Sequence, residues 1–420
     1  MPLKPEVIRP QFPSLERPDV FFDNPGGTQI ARHSLERMQR YLLECNANHE
    51  GAFRTSRDSD AVLQAARQAM ADFLNADSPD EIVFGNNMTT LTFHVARALA
   101  ARLSPGDEIV VTRLDHDANI SPWLLTAEDR GCKVTWVDFD VEDGTLKVDE
   151  FAQAMQRRPK IAAFGYSSNA LGTINPVRKL TQMAREVGAL VYIDAVQYAP
   201  HGPMDVHELG CDFLVCSSYK FFGPHAGILF GRLDLLNELQ PHKVRPASNA
   251  APYKFETGTQ NHEGIAGILG AIEYLEWLGG EFGDAGDWRE RGYAGRRLTL
   301  KRAMTAIRSY EFELSRAMLE AIESVPGTRI YGLSDRRRLD ERVPTVSFTM
   351  QGITPRRLAE RLAEAGLYAW DGNYYALAVT QRLGLEDHGG MLRVGAVHYN
   401  TLDEVQRLRQ ALDQISKSEV

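Results

Sequence analysis

The chain has 420 residues, of which 43% are hydrophobic, 9% aromatic and 25% charged, enough to bury a large core in two lobes or domains. Its formal net charge of -9 at pH 7 argues against a general nucleic-acid or anionic-membrane binder, because such partners need a basic surface. The four cysteines have no C-x-x-C spacing, the amino terminus has no signal-peptide pattern, and no apolar segment reaches the roughly 20 residues that span a bilayer. We therefore expect a cytoplasmic protein with free thiols.

The first part of the chain predicts short strands alternating with helices. VFFDN (20–24) is typical of a short strand, and the pattern over 33–44 predicts a helix. The polar segment 46–60 has little apolar periodicity, so we expect a loop at a site. An amphipathic helix is predicted over 61–74, and EIVFGNN followed by MTTLTFHVARALAARL predicts a strand, a turn and a helix.

Apolar segments without alternation follow, separated mostly by helical patterns. The predicted strands are 108–112, 133–138, 161–166, 190–194, 213–217 and 227–230. Strands of this kind favour a mostly parallel sheet covered by helices on both faces, which is a three-layer α/β fold. The ligand of such a sheet should lie beyond the carboxyl ends of the strands.

The last part of the chain predicts a smaller α+β domain. A long helical region from about Trp288 leads to VPTVSFTM, a helix over 355–365 and MLRVGAVHY. We therefore expect a large domain over 20–290 and a small domain formed by 1–19 plus 291–420.

The segment from Val191 to Gly227 carries the most informative pair of residues. Asp194 ends one apolar segment, and Lys220 lies between the end of a second apolar segment and a glycine turn. A pyridoxal phosphate enzyme needs such a pair, because a lysine amine forms a Schiff base with the cofactor aldehyde and a carboxylate keeps the ring nitrogen protonated. Taken alone, Lys220 could be a surface lysine and Asp194 a helix cap. The hydroxyls of Ser217 and Tyr219 could contact a phosphate.

Residues near the ends of other predicted strands extend this interpretation. Met88 and Thr89 stand at a strand-to-helix turn, where backbone N–H groups and hydroxyls can bind a phosphate. His116 could stack on a pyridine ring, and Asn169 and Gln197 could reach the ring oxygen. Each has a structural alternative, such as a helix cap, a satisfied histidine or an Asn in a turn.

The order of these motifs resembles that of a known family. The series DHDANISPW, SNALGTINP, DAVQ, SSYKFFGP, FETGTQN and RVGAVHYNT is similar to the cysteine desulfurase branch of the class V aminotransferases, which are fold type I pyridoxal phosphate enzymes. The resemblance extends from about residue 20 to the carboxyl terminus. It implies pyridoxal 5'-phosphate as the cofactor and a homodimer, and we expect no metal site.

The resemblance also implies a role for each matching residue. Lys220 would be the Schiff-base lysine, Asp194 the partner of the ring nitrogen and His116 the stacking ring. Arg393 would hold the substrate α-carboxylate, which its planar fork suits. The implied cofactor contacts are Thr89 and Ser217 at the phosphate, Asn169 and Gln197 at the ring oxygen and, at the phosphate of the neighbouring subunit, Thr259. Met88 and Tyr219 are further candidate contacts from their positions in the sequence.

Two departures from the family pattern bear on the chemistry. Tyr219 stands where the family usually has histidine, which is a change of hydrogen-bond donor. The desulfurases also place a nucleophilic cysteine on a mobile loop reading approximately R-x-G-H-H-C, shortly before the carboxylate-binding arginine. The corresponding segment 367–379 has Trp370 at the arginine position and Tyr375 where the cysteine would fall, and no cysteine follows residue 216. A phenol cannot form a persulfide, so the sulfur-accepting step lacks its nucleophile.

These residues predict an enzyme that removes the α-proton of a small amino acid, with Lys220 as the general base. The leading hypothesis is a cysteine desulfurase-like lyase that cleaves a C–S bond by β-elimination. The alternatives are an aminotransferase and a non-catalytic relative that acts through its dimer surface. Asn373 and Tyr375 are candidate substrate contacts, although the aromatic residues of their loop could equally be core. Arg54 or Arg57 could bind the second carboxylate of a dicarboxylic substrate.

Overall fold

The computed structural model describes residues 3–284 and 286–418. Its strands are β1 Val20–Phe21, β2 Ile82–Gly85, β3 Glu108–Thr112, β4 Lys133–Val137, β5 Ile161–Gly165, β6 Leu190–Asp194, β7 Phe213–Ser217, β8 Gly227–Gly231, β9 Thr328–Tyr331, β10 Thr345–Met350, β11 Leu367–Tyr368, β12 Trp370–Gly372 and β13 Met391–Gly395. Its α-helices are α1 Pro5–Ile8, α2 Arg32–Glu44, α3 Arg54–Leu74, α4 Met88–Ala100, α5 Ser121–Arg130, α6 Val148–Met155, α7 Val177–Glu186, α8 Val206–Leu209, α9 Leu233–Glu238, α10 His262–Glu281, α11 Gly286–Glu290, α12 Gly295–Glu323, α13 Pro355–Glu364, α14 Leu377–Arg382 and α15 Leu402–Ser418. Short 3₁₀ turns lie at Arg9–Gln11, Pro13–Glu16, Pro79–Glu81, Asp117–Asn119, Ser218–Lys220, Tyr253–Phe255, Arg336–Glu341 and Glu386–His388.

A seven-stranded sheet in the order β2-β8-β7-β6-β5-β3-β4 forms the larger lobe. Strand β8 runs antiparallel to both of its neighbours, and the remaining pairs are parallel. The central strands are almost wholly buried and rich in Val, Ile, Phe and Leu, as expected where helices cover both faces. The prediction of an α/β fold with a mostly parallel central sheet is confirmed.

Successive residues of the sheet belong to different hydrophobic cores. Val110 of β3 packs in the core that contains Met70 of α3, whereas the next residue, Val111, packs in the core that contains Val95 of α4. This alternation follows from the two-residue period of a strand, which directs neighbouring side chains to opposite faces. The sheet is therefore fixed between two helical layers, and its carboxyl edge has a defined position.

A four-stranded antiparallel sheet in the order β12-β13-β10-β9 forms the smaller lobe. Its core contains Phe348 and Val394 from the sheet together with side chains of α12, α13 and α15. Strand β1 pairs in parallel with β11, so that Val20 lies opposite Leu367. The division of the chain into domains at residues 20 and 290 stays a prediction.

The prediction that 46–60 is a loop is wrong from residue 54 onward, because α3 begins at Arg54. The inward face of its first turns carries serines rather than apolar residues. Ser56 Oγ donates to Asn48 O at 2.6 Å, and Ser59 Oγ lies 2.7 Å from Tyr41 Oη. These buried hydroxyls are paired by hydrogen bonds, so this part of the helix has no apolar periodicity to detect.

Across the described ranges, no helix combines the length and the apolar composition needed to cross a bilayer. Within the same ranges, no group of three or more His, Cys, Asp or Glu residues could hold a metal ion.

Candidate active site

A cavity of about 1140 Å³ opens at the carboxyl ends of the parallel strands, where the sheet topology places a ligand. The larger lobe lines it with loops that follow β2, β3, β5, β6 and β7, and the smaller lobe lines it with the segment from β12 to Tyr375 and with Arg393 of β13. The residues singled out in the sequence that line it are Met88, Thr89, His116, Asn169, Asp194, Gln197, Tyr219, Lys220, Asn373, Tyr375 and Arg393.

Four residues singled out in the sequence do not line this cavity. Arg57 is exposed, and its Nη1 donates to Ala52 O at 3.0 Å. The Ser217 side chain is buried at the end of β7, and its Oγ has no hydrogen-bond partner. Thr259 is exposed. Arg54 begins α3, its side chain is 80% exposed, and it lies 3.7 Å from Asp58. The roles expected for these residues stay predictions.

The Lys220 amine is buried near Asp194. Lys220 ends a 3₁₀ turn that follows β7, and its Nζ donates to Pro25 O. Burial, reinforced by the positive charge of Arg393, lowers the pKa of Lys220 to about 7. Burial also raises the pKa of Asp194 to about 6, against the opposing effects of its hydrogen bond from Val196 N and of Lys220. A large fraction of the amine is therefore neutral near pH 7, which is the form able to attack a carbonyl.

His116 presents a neutral ring to the cavity. Its Nδ1 accepts from Ala118 N at 3.0 Å, which fixes the ring at the start of a 3₁₀ turn. Burial, together with the charges of Lys220 and Arg393, lowers the pKa of His116 to about 4. The ring stacks on Tyr375 with centroids 5.5 Å apart and an interplanar angle of 18°. It therefore offers a flat, uncharged surface for stacking.

Asp115, which the sequence interpretation missed, lies buried beside His116 and also lines the cavity. Its carboxylate accepts from Gly165 N at 2.8 Å and from Asn119 Nδ2 at 2.9 Å. Burial raises the pKa of Asp115 to about 8, and the charge of Asp194 adds to the effect. The sequence did offer a signal for this residue, because Asp115 directly precedes His116 in the motif DHDANISPW.

The N-terminus of α4 forms another part of the cavity wall. Asn87 caps the helix by accepting from Thr90 N at 2.8 Å, while the amides of Met88 and Thr89 stand in the first turn, where they lack intrahelical acceptors. Such a terminus attracts anions. Gly227 of β8 passes so close that an added Cβ would lie 2.4 Å from the carbonyl carbon of Asn87. Glycine is thus required for this approach.

Arg393 is buried with free hydrogen-bonding capacity. Its Nη1 donates to Asn169 O at 2.7 Å, and its Nε has no partner. Burial lowers the pKa of Arg393 to about 10, so the guanidinium stays charged at neutral pH. Asp23, which the sequence interpretation also missed, is close enough to Arg393 and Lys220 to feel both charges, although burial raises the pKa of Asp23 to about 6.

The segment that contains Tyr374 and Tyr375 has an unusual backbone. Both residues have left-handed φ angles, of 56° and 59°. Asn169 Nδ2 donates to Tyr374 O at 2.9 Å, and Asp117 N donates to Tyr375 O at 2.7 Å. Bulky residues rarely adopt this conformation, and it persists where surrounding contacts hold it. Two loops of the larger lobe therefore anchor this segment of the smaller lobe at the cavity.

Comparison with known proteins matches this architecture to one family. The description "Aminotransferase class-V" matches residues 20–300 and 294–408. The chain is 32% identical over 421 residues to the aminotransferase-like protein FGM3 of Gibberella zeae, and 31% identical over 432 residues to a cysteine desulfurase of Serratia proteamaculans; each alignment covers 98% of both chains. Among solved structures, a cysteine desulfurase of Thermococcus onnurineus superposes with a TM-score of 0.88 at 26% identity, and CsdA of Escherichia coli with 0.83 at 27% identity, both over 100% of both chains.

The chain belongs to the class V aminotransferase family and is cysteine desulfurase-like. It has the fold of the fold type I pyridoxal phosphate enzymes. It is accordingly a pyridoxal phosphate-dependent enzyme, either a lyase or a transferase.

The chemistry of the cavity fits this cofactor. The buried Asn169 Oδ1, in the cavity lining, has no hydrogen-bond partner in the structure, although groups of this kind are normally satisfied. A hydroxyl on the ring of the ligand would donate to it. The helix N-terminus at Met88, the amine of Lys220 and the carboxylate of Asp194 are of the types that the phosphate, the aldehyde and the ring nitrogen require.

Proposed function

We propose that this chain forms a homodimer, binds pyridoxal 5'-phosphate and cleaves a C–S bond of a small amino acid by β-elimination, without a cysteine nucleophile. When bound, the cofactor supplies an electron sink for the electrons released at Cα of the amino acid. The observation that carries the proposal is a buried amine and a buried carboxylate, Lys220 and Asp194, in a cavity whose lining among the described residues includes no cysteine.

Four of the lining residues have specific parts in this proposal. Arg393 binds the substrate α-carboxylate through its free guanidinium N–H groups, and so orients the Cα–H bond toward Lys220. Lys220, with a pKa of about 7, accepts the Cα proton near neutral pH. Asp194 holds a proton on the ring nitrogen of the cofactor by its negative charge. His116 would cover one face of the cofactor ring and exclude water from it.

The cysteines support elimination over sulfur transfer to the protein. Burial raises the pKa of all four thiols, Cys45, Cys132, Cys211 and Cys216, so none is poised as a thiolate. None of them lines the cavity. Tyr375 stands where the desulfurases have their nucleophile, and its phenol cannot accept sulfur. Sulfur is therefore released to solvent as a thiol or as sulfide.

Product analysis tests the proposal. The purified protein, loaded with pyridoxal phosphate, is incubated with cysteine, cystine or a cysteine conjugate. Pyruvate is assayed together with the sulfur product, which is sulfide from cysteine, a persulfide from cystine and a thiol from a thioether conjugate. We expect both products in equal amounts, and neither from Lys220→Ala. Accumulation of pyridoxamine phosphate without pyruvate would refute the lyase and support an aminotransferase, which the name of the relative FGM3 favours.

The covalent link to the cofactor has a spectroscopic test. A visible-violet absorption band that disappears in Lys220→Ala would support a Schiff base on this lysine and argue against a non-catalytic relative, because a scaffold has no need of the covalent link. Light scattering measures the mass of the particle and tests the homodimer, in which Thr259 would reach the phosphate of the neighbouring subunit.

A further inference from the structure

The lining of the cavity carries more carboxylates than the cofactor requires. Asp194 serves the ring nitrogen, and Asp115 is held by internal hydrogen bonds with its pKa raised to about 8. Asp371 is compensated by Arg356, whose Nη1 lies 3.3 Å away. Two further lining carboxylates remain, those of Asp117 and Glu386.

Asp117 and Glu386 are half-buried, and only uncharged groups hold them. Ser121 Oγ donates to Asp117. Asn373 Nδ2 donates to Glu386 at 2.9 Å, and Thr380 Oγ1 donates to its other oxygen. Among the described residues, neither carboxylate forms an ion pair with Lys, Arg or His. Two partly desolvated negative charges therefore face the cavity without a counterion.

Both residues are joined by hydrogen bonds to the segment that contains Tyr374 and Tyr375, Asp117 through its backbone amide and Glu386 through its carboxylate and Asn373. Asp117 N donates to Tyr375 O at 2.7 Å, while Asn373 accepts from Tyr375 N at 3.1 Å and donates to Glu386. Tyr375, a residue that is 74% exposed, lies between these hydrogen bonds in the cavity wall. An exposed aromatic face beside carboxylates is a favourable surface for a cation.

Independent features mark the same cavity as a ligand site. Arg393 is 4% exposed and its Nε has no partner, and Asn169 Oδ1, also buried, has none. Lys220 and Arg393 are the Lys and Arg residues that line the cavity in the described part of the chain. Once Arg393 has bound the α-carboxylate, no further arginine is present there to receive a side-chain carboxylate.

We propose that Asp117 and Glu386 bind a positively charged group on the side chain of the substrate, an amino acid that ends in an amine or a guanidine. This inference rests on the proposed function, because it assumes that the α-carboxylate lies on Arg393. For S-(2-aminoethyl)-L-cysteine, the Cα–H and Cβ–S bonds break, the Cα proton passes to Lys220, and the electron pair of the C–S bond leaves with sulfur. Addition of one water then gives cysteamine, pyruvate and ammonia in total.

Three S-substituted cysteines of similar size test the charge preference. The holoenzyme is titrated with the S-(2-aminoethyl), S-propyl and S-carboxymethyl derivatives, and Kd is measured from the cofactor absorbance and by calorimetry. The aminoethyl compound should bind on the order of tenfold more tightly than the isosteric propyl compound, and the carboxymethyl compound most weakly. L-lysine should likewise bind more tightly than L-norleucine. Neither compound has a C–S bond, so this comparison measures binding without elimination.

Variants assign the preference to the two carboxylates. Asp117→Asn and Glu386→Gln should each reduce the ratio of the propyl Kd to the aminoethyl Kd, and the double variant should bring it to about one, with the propyl Kd unchanged. Asp387→Asn removes an exposed neighbouring charge that does not line the cavity, and should leave the ratio as it is. The absorption band of the bound cofactor verifies that each variant is folded.

The outcomes separate this inference from the function it rests on. Equal Kd values for the aminoethyl and propyl compounds, binding of neither, or an unchanged ratio in the double variant would overturn it. Preferential binding of the cation without pyruvate formation would refute the lyase and leave the charge preference established.

Discussion

The Arg393 guanidinium carbon lies 4.1 Å from the centre of the Tyr374 ring. Arg393 Nη1 donates to Asn169 O, and Asn169 Nδ2 donates to Tyr374 O, so the three residues form a closed set of contacts. The Tyr374 hydroxyl donates to Met391 O and fixes the far end of the ring. Tyr374 is therefore a positioning residue that sets the direction of the guanidinium.

Replacing Tyr374 by leucine should weaken substrate binding. A cation–π contact of this kind contributes about 0.5–2 kcal/mol, so KM for the amino acid should rise roughly 2- to 30-fold in Tyr374→Leu, with a smaller change in kcat. Tyr374→Phe keeps the ring and should retain most of the affinity. Steady-state kinetics of both variants make the comparison, and equal effects of the two substitutions would argue against a role for the ring.

The pKa of Lys220 predicts how cofactor uptake depends on pH. Burial lowers this pKa from 10.5 to about 7, so the amine is protonated below pH 7 and becomes neutral as the pH rises through that value. The rate at which the apoprotein gains visible absorption with pyridoxal phosphate should therefore increase as the pH rises through about 7 and level off above it. Stopped-flow absorbance measures the rate, and a midpoint near the ordinary lysine value would contradict the buried setting.

Asp194→Asn should separate cofactor binding from turnover. The amide keeps the shape of the side chain but lacks the negative charge of the carboxylate. That charge stabilises the protonated ring nitrogen of the cofactor. We expect kcat to fall on the order of 10²-fold, while the cofactor remains bound through Lys220. The absorption spectrum and the rate of pyruvate formation are compared, and full activity in this variant would exclude the assigned role.

Gly227→Ala should weaken cofactor binding through its effect on α4. The new methyl group would lie 2.4 Å from the Asn87 carbonyl carbon and 2.7 Å from Met88 N, so β8 or the helix N-terminus must move. Overpacking of this kind costs about 1–3 kcal/mol of the free energy of unfolding. Gly280→Ala in α10 is the matched control, because nothing lies within 4 Å of its added Cβ. Thermal unfolding and the Kd for pyridoxal phosphate are measured for both, and equal behaviour would contradict the steric argument.

Tyr375→Asn should change catalysis more than stability. The ring is mostly exposed, so its loss should alter the free energy of unfolding by no more than about 0.5 kcal/mol. Asparagine tolerates the left-handed backbone at this position. The preference among substrates, measured as the relative values of kcat/KM, should differ between this variant and the unsubstituted protein, because the ring lines the cavity and stacks on His116. A large drop in melting temperature with unchanged substrate preference would instead indicate a purely structural residue.

Much of the fold and part of the cavity could be predicted because both follow from periodicity. The strand bounds Glu108–Thr112, Leu190–Asp194 and Phe213–Ser217 agree with the sequence pattern, since buried parallel strands are continuous apolar segments with polar ends. The carboxyl ends of parallel strands meet at one edge, so Asp194 and Lys220 could be expected to lie close together.

The features that were missed depend on contacts between distant segments. A β-bridge between Asp23 and Gly395 brings Asp23 close enough to Arg393 to feel its charge. No local sequence pattern predicts this bridge. Nothing in a tyrosine side chain signals a left-handed backbone, so Tyr374 could not be distinguished from core. The start of α3 was hidden because its buried face is polar.

The pairing of β1 with β11 also constrains how the protein is made. Val20 and Phe21 are synthesised before every strand of the seven-stranded sheet, but their partners, Leu367 and Tyr368, are synthesised after all of them. The sheet of the larger lobe has all of its strands by Gly231 and can begin to form during translation. Strand β1, in contrast, remains without its partner strand until residues 367 and 368 have been translated.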